Sequence, residues 1–361
     1  MVSLEKIKLP NKHVFNGKEF PVAYKVIKDP DDDREEYGVD DTLKFLEDQS
    51  KKGLFKKLLK RHGVVVLRCG KRLDSNTLSK YISAIGANSG DQPFEQNGST
   101  AKRTEITETL STANEGPSSI RIHQHNEFSR FVKYPTKLFF TCVEYAAEGG
   151  ETPLVHGGEF FQRINAKAPE FLRELSQRGL YMEQIWPLKS DTNTNWANKF
   201  CFGRNIDPRD DDFEHQKLQA KQLAEEIASP DCEFTPENDL LIRQYTKPIR
   251  VYEGDGESFP CFFNSLSTFY AYTKYKVAEY GKTRSICYND GGEIPAKYLD
   301  LVLQTSLDLA YAHRWEEGDI AIVDNYMVSH GRLPWEGVRR ILVSMWDEVD
   351  KPEYAPWVAA T

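Results

Sequence analysis

The apolar positions of this chain change their spacing several times, and each change marks an element. Over residues 41–61 they recur at helical intervals, which predicts an amphipathic helix. The run Gly63-Val64-Val65-Val66-Leu67-Arg68 is short, apolar and rich in β-branched side chains, the pattern of a buried strand. A helix is expected over 74–86, with Asp74 or Ser75 as its cap. Residues 88–118 are dense in Gly, Ser, Thr, Asn and Pro and read as a long loop suited to act as a lid. Strands are predicted at 120–127, 137–145, 247–253, 260–265, 319–324 and 339–346. Helical spacing returns over 157–179, where Pro169 opens the second half, and over 294–313. Residues 205–240 are charged, helical in pattern, and read as an insertion. The pattern thus divides the chain into a charged N-terminal segment, 1–60, a single domain, 61–348, and a tail, 349–361. The first segment holds Asp31, Asp32 and Asp33 followed by Arg34, Glu35 and Glu36, and reads as a solvated surface packed on the core.

Strands parted by long insertions, with no strand–helix–strand rhythm, predict a mainly β fold with flanking helices, a jelly-roll sandwich in place of a parallel sheet. No glycine-rich dinucleotide or phosphate loop and no GxSxG elbow occurs. With 361 residues, 39% of them hydrophobic, the chain can bury a substantial core. Its net charge of −8 argues against nucleic acid as a partner, because phosphate binding needs concentrated positive charge. No apolar run approaches the roughly 20 residues of a membrane helix. Glu5, Lys6 and Lys8 stand where a signal peptide would be apolar, so the expected location is cytoplasmic. The six cysteines include no CxxC pair, and the nearest two, Cys261 and Cys287, are 26 positions apart, a spacing that suits free thiols.

Two of the eight histidines fall in one strand-like segment, Arg121-Ile122-His123-Gln124-His125-Asn126-Glu127. A period of two would put Arg121, His123, His125 and Glu127 on one face. Such a row is costly to bury unless a cation neutralises it, and a divalent metal would; a solvated sheet face is the plainer alternative. A facial triad needs a third ligand from elsewhere, and His330, ahead of Gly331-Arg332-Leu333-Pro334, is the strongest candidate. On the strand that follows, Arg339, Ile341, Val343 and Met345 share one face, and Arg340, Leu342, Ser344 and Trp346 the other. An arginine beside a metal site can grip a carboxylate through two parallel hydrogen bonds, although a surface ion pair is the alternative for Arg340.

The motifs His125-Asn126-Glu127, Gly149-Gly150-Glu151-Thr152-Pro153, Asp324-Asn325 with His330-Gly331-Arg332, and Arg339-Arg340 occur in this order. Together they resemble the taurine dioxygenase/clavaminate synthase-like family of Fe(II)- and 2-oxoglutarate-dependent oxygenases. The blocks Thr112-Ala113-Asn114-Glu115 and Phe263-Asn264-Ser265 are similar to the clavaminate synthase-like branch, and the resemblance spans roughly residues 60–348. It implies a double-stranded β-helix, a form of jelly roll, with His125, Glu127 and His330 as iron ligands. It implies that Arg340 holds the distal carboxylate of 2-oxoglutarate with help from the Thr152 hydroxyl, and that O2 is the other cosubstrate. The implied reaction decarboxylates 2-oxoglutarate to succinate and CO2 while oxidising a C–H bond, by default to an alcohol. Glutamate in the carboxylate position argues against halogenation.

The resemblance leaves the substrate open. Taurine-type enzymes carry a second arginine four residues beyond the first, and here that position is Ser344, which argues against a sulfonate. Arg121 is a candidate for an anionic substrate group, with a salt bridge to a nearby acid as the equal alternative. Phe128, Phe263 and Asn264 are candidate pocket residues. A small molecule, such as an amino acid or a secondary metabolite, is the expected substrate. Two other readings are a cupin-type metal enzyme, which would want a glutamate where Ser129 and Arg130 stand, and a non-catalytic metal-binding scaffold, which would have lost a ligand or the arginine.

Overall fold

The computed structural model describes residues 2–29, 37–70, 72–113, 115–190, 194–277 and 282–359. The acidic run at 31–36 and Asn114 of the Thr112–Glu115 block lie outside the described residues. In chain order the elements are β1 (Val2–Ile7), β2 (His13–Phe15), β3 (Lys18–Phe20), β4 (Val22–Lys28), α1 (Val39–Lys51), α2 (Leu54–His62), β5 (Val64–Arg68), α3 (Ser75–Asn88), β6 (Asp91–Pro93), β7 (Ser111–Thr112), β8 (Ile122–His125), β9 (Lys137–Gly149) and β10 (Thr152–His156). They continue with α4 (Gly157–Lys167), α5 (Pro169–Arg178), β11 (Leu180–Trp186), α6 (Phe213–Ile227), β12 (Cys232–Phe234), β13 (Leu240–Thr246), β14 (Ile249–Glu253), β15 (Ser258–Phe262) and α7 (Leu266–Tyr275). The last are β16 (Lys282–Cys287), α8 (Ala296–Asp308), β17 (Tyr311–His313), β18 (Asp319–Asp324), β19 (Val328–Arg332) and β20 (Trp335–Glu348).

The fold is mainly β with flanking helices around a jelly-roll core. A main sheet runs β1-β4-β5-β18-β9-β20-β6, and a smaller sheet runs β17-β10-β19-β8. Central strands of the main sheet are apolar on both faces. On β20, Ile341 and Val343 join the cluster that contains Phe128 and Phe140, whereas Leu342 and Trp346 join the cluster under α1–α3. The charged N-terminal segment contributes strands of its own: β4 lies parallel to β5 and antiparallel to β1, and Phe20, Val22 and Val26 are buried.

Local chemistry explains where the elements start and stop. The helix expected over 41–61 is two helices, because Gly53 adopts φ +75°, a left-handed conformation that glycine takes without a Cβ penalty. Asp74 caps α3, its Oδ1 accepting from the Thr77 backbone N–H at 2.7 Å. Pro169 opens α5, where its missing N–H costs nothing. The region read as a helical insertion is helical only over α6; β13, at its end, pairs with β11 and β12 in a further sheet. All six cysteines are free and five are buried. No helix among the described residues is long and apolar enough to cross a membrane.

Candidate active site

A cavity of about 900 Å³, measured out to its mouth, lies between the two sheets of the jelly roll. The smaller sheet supplies Ile122, His125, Thr152, His330 and Gly331, and the main sheet supplies Phe140, Arg339, Ile341 and Val343. One face of α7 and the segment around 99–113 complete the walls. That segment is tied to its neighbours by Gly98 N–H to Cys201 O at 2.6 Å and Ser99 N–H to Phe200 O at 2.9 Å.

His125, Glu127 and His330 converge at the base, with one ligand atom from each inside 4.8 Å of the others. Strand pairing brings the histidines together, since β8 and β19 place His125 opposite His330. Glu127 Oε2 lies 3.7 Å from His125 Nε2 and 3.6 Å from His330 Nε2. These gaps are too long for good hydrogen bonds. They leave room for a divalent ion among the three donors. The tautomer of His125 fits as well. Its Nδ1–H donates to the His123 carbonyl at 2.9 Å, which leaves the Nε2 lone pair facing the carboxylate. Two imidazoles and one carboxylate, with space on the remaining side, form the donor set of a non-haem iron site.

The neighbouring residues fix this geometry. Asn325, fully buried, clamps the Glu127 backbone: its Oδ1 accepts the Glu127 N–H at 2.7 Å and its Nδ2 donates to the Glu127 carbonyl at 2.9 Å. Arg103 donates to Glu127 Oε1 at 3.3 Å and to Gln96 at 2.7 Å. Burial pushes the Glu127 carboxyl up, but Arg103 and the two histidines override it and hold it well below the usual range. Burial, followed by repulsion from His125, lowers His330 to about 4.

The alternating row expected on β8 is broken. The register between β8 and β19 shifts after His330, and the strand ends at His125, so Glu127 sits in the following turn. Ile122, His125 and Glu127 line the cavity, while Arg121 and His123 do not. His123 stacks on Tyr275, with ring centroids 6.0 Å apart, and burial lowers it to about 4. Arg121 is therefore not placed to meet a ligand in the cavity.

The arginine pair on β20 also needs correction. Arg339 lines the cavity with Ile341 and Val343, whereas Arg340 lies on the opposite face and is exposed. The pairing with β9 skips Val143, and this bulge lies beside Arg340 without altering the alternation along β20. Arg339 Nε donates to the Gly150 carbonyl at 2.7 Å, and burial lowers its pKa to about 10, still well above neutrality. Thr152 Oγ1 accepts the Trp315 indole N–H at 3.1 Å, so its own O–H is left to donate. Four residues beyond Arg339 the cavity meets Val343 and not an arginine; Ser344 is buried on the other face.

Of the remaining candidates, only Phe128 lines the cavity, held at φ +52° in the turn after Glu127. Phe263 packs on Tyr326 at 4.8 Å in the core. The Asn264 carbonyl accepts the Asn126 N–H at 3.1 Å, its own N–H donates to Asn126 Oδ1 at 3.0 Å, and its Oδ1 accepts from Leu266 N–H at 2.8 Å where α7 begins. Asn264 thus braces the turn between His125 and Glu127 through Asn126. Arg103, Arg130 and Asn325 were absent from the expected site, and among them only Asn325 stood within a recognised motif.

A family model described as taurine catabolism dioxygenase TauD, TfdA family matches residues 30–346. A clavaminate synthase-like protein of Arabidopsis thaliana is 26% identical over 292 residues, covering 80% of this chain and 82% of that protein. The dapdiamide synthesis protein DdaC of Enterobacter agglomerans is 23% identical over 301 residues, covering 81% of this chain and 84% of that protein. Among solved structures, a taurine dioxygenase from Burkholderia xenovorans aligns at TM-score 0.45 and 12% identity, covering 97% of this chain and 96% of its own.

Proposed function

The chain belongs to the taurine catabolism dioxygenase TauD, TfdA family, and from that premise we propose that it hydroxylates an unactivated C–H bond of a small molecule, such as an amino acid or a secondary metabolite. Membership makes it a 2-oxoglutarate-dependent dioxygenase, with Fe(II) as its metal and 2-oxoglutarate and O2 as cosubstrates. The cupin and scaffold readings fall away with that assignment. That one relative is a dapdiamide synthesis protein supports a small molecule of a synthetic pathway as substrate.

The observation that carries the reading is the convergence of His125, Glu127 and His330 in a cavity whose facing sheet presents Arg339. In this reading the three side chains hold the iron. Arg339 holds the distal carboxylate of 2-oxoglutarate in place of Arg340, and the Thr152 O–H donates to the same group. When bound, iron and cosubstrate supply the oxidising chemistry, in which 2-oxoglutarate becomes succinate and CO2 and one oxygen atom goes to the substrate. Arg103 engages Glu127 Oε1 and leaves Oε2 to the metal. Asn325 keeps the carboxylate aimed by holding its backbone, while Phe128, Phe140, Ile341 and Val343 exclude water from the reacting centre.

Metal binding tests the assignment. Glu127→Ala and His330→Ala should each weaken Fe(II) binding by about 100-fold or more and stop succinate release from 2-oxoglutarate. Fe(II) titration followed by equilibrium dialysis reads the first effect. Parent-like iron affinity in either variant contradicts the ligand set.

A further inference from the structure

The cavity is more cationic than the binding of 2-oxoglutarate requires. Arg103, Arg130, Arg332 and Arg339 line it, and Glu127 is the one carboxylate among the described lining residues. Three of these guanidinium groups have evident tasks. Arg103 engages Glu127 and Gln96, Arg332 donates to the carbonyls of Pro117 and Ile120, and Arg339 faces Gly150 and the cosubstrate position. Arg130 has none of this kind. It is 8% exposed, and its Nε donates to the neutral amide oxygen of Gln184. Its guanidinium carbon sits 4.4 Å from the Phe131 ring centroid and 5.0 Å from that of Phe269. Among the described residues no carboxylate lies within ion-pair distance, and its terminal Nη groups meet no protein acceptor. Burial lowers Arg130 only to about 10, so it stays charged at neutral pH. The one opposing charge that acts on it is Glu127, through space and beyond ion-pair distance, and that carboxylate is engaged by Arg103. Burying a cation with no paired counter-charge is costly, and an anion delivered to the cavity would relieve that cost.

A second, independent feature points the same way. Thr268 Oγ1 is buried in the wall of the same cavity with no hydrogen-bond partner, and the residue is 3% exposed. Thr268 and Phe269 lie in the first turn of α7, whose N-terminal dipole favours negative charge. This wall is distinct from the one that carries Thr152 and Arg339.

We propose that Arg130 and Thr268 form the acid-binding subsite of the substrate pocket, and that the substrate is a carboxylic acid whose amine is absent or acylated. This rests on the dioxygenase reading above and narrows its substrate class. A free α-ammonium would need a carboxylate, and Glu127, engaged by Arg103 and turned toward the histidines, is not free to provide one. The guanidinium groups around the cavity would repel it. The apolar body of the acid lies among Phe128, Phe269 and Val343.

Calorimetry on the Fe(II)- and 2-oxoglutarate-loaded chain without O2 tests this. The probes are N-acetylphenylalanine and N-acetylleucine, each set against its primary amide and against the free amino acid. Each N-acetyl acid should bind the parent chain about tenfold or more tightly than either counterpart. Arg130→Gln should weaken the acids by about 10- to 100-fold and erase the preference over the amide, with 2-oxoglutarate affinity held within about twofold. Thr268→Val should weaken the acids by about threefold or more, and it stands in if Arg130→Gln does not fold. Equal affinity for acid, amide and amino acid in the parent overturns the proposal. So does a preference that survives Arg130→Gln undiminished, an acid affinity unchanged in Thr268→Val, or a loss in Arg130→Gln that falls on 2-oxoglutarate instead. Failure of the dioxygenase reading is visible separately, as a parent chain that does not take up 2-oxoglutarate before any probe is added.

Discussion

Asp324 is almost fully buried near the turn that leads from β18 to His330. Its Oδ2 accepts from the Tyr252 hydroxyl at 2.6 Å, and its Oδ1 accepts the backbone N–H groups of Tyr326 and Met327. Burial outweighs these bonds and raises its pKa to about 6. A raised carboxyl pKa contributes stability that is full below the ordinary aspartate value and is lost as pH rises through about 6. Asp324→Asn keeps an oxygen for the two N–H groups and removes the titration. Denaturant unfolding of both chains should therefore show the variant gaining about 2 kcal/mol on the parent between pH 4 and pH 7. A difference that stays flat over that range contradicts the account. At the same scale, spacing alone left the row at His125 and Glu127 open between a metal site and a solvated face. It was the order of the motifs and the family they resemble that singled out His125, Glu127 and His330, the three side chains that converge in the fold. The choice between Arg339 and Arg340 was not legible. Their alternation was plain, but both faces of β20 are apolar, Ile341 and Val343 on one and Leu342 and Trp346 on the other, so periodicity alone could not say which face turned inward. Arg103 and Arg130 left no pattern, since they lie in irregular segments and reach the site only through the fold.

Elements were most readable where the pattern was continuous. The strand expected at 319–324 is β18 with those bounds, an apolar run between polar ends. β10 escaped notice because it is short and its aliphatic run is only Leu154-Val155, between Pro153 and His156. The short strands β1 and β4 were hidden by the charges they carry on their outer sides. The pairing of β8 with β19 is brief and shifted, so close approach, not length, sets the distance between the two histidines. A Cβ on Gly331 would lie 2.4 Å from the Ile122 carbonyl oxygen across that pairing. Gly331→Ala should push the strands apart and weaken Fe(II) binding by about tenfold or more. Gly86→Ala is the control: a Cβ there would lie 2.6 Å from the Trp346 ring, where α3 packs on the far side of β20. That substitution should cost about 1–3 kcal/mol of stability and leave iron affinity within about twofold. Equal effects on iron affinity would show that the β8–β19 spacing does not set the site.

At the scale of the molecule, the site is an effect of stacking two sheets. The smaller sheet brings the histidines and Thr152, the main sheet brings Arg339 and much of the apolar lining, and the cavity is the space left between them. The jelly roll was foreseeable from strands without a helix rhythm, but this division of labour depends on strand order, which no local pattern encodes. The central claim is that Arg339 holds the cosubstrate against a metal gripped by the facing sheet. The measurement that tests it most directly is an anaerobic titration of the chain with Fe(II) and then 2-oxoglutarate, following the weak visible charge-transfer band of a metal-chelated 2-oxo acid. The account predicts a band that saturates at about one equivalent in the parent chain and in Arg340→Ala, and that in Arg339→Ala appears only at about 100-fold higher 2-oxoglutarate. A parent-like titration in Arg339→Ala together with loss of the band in Arg340→Ala would contradict it.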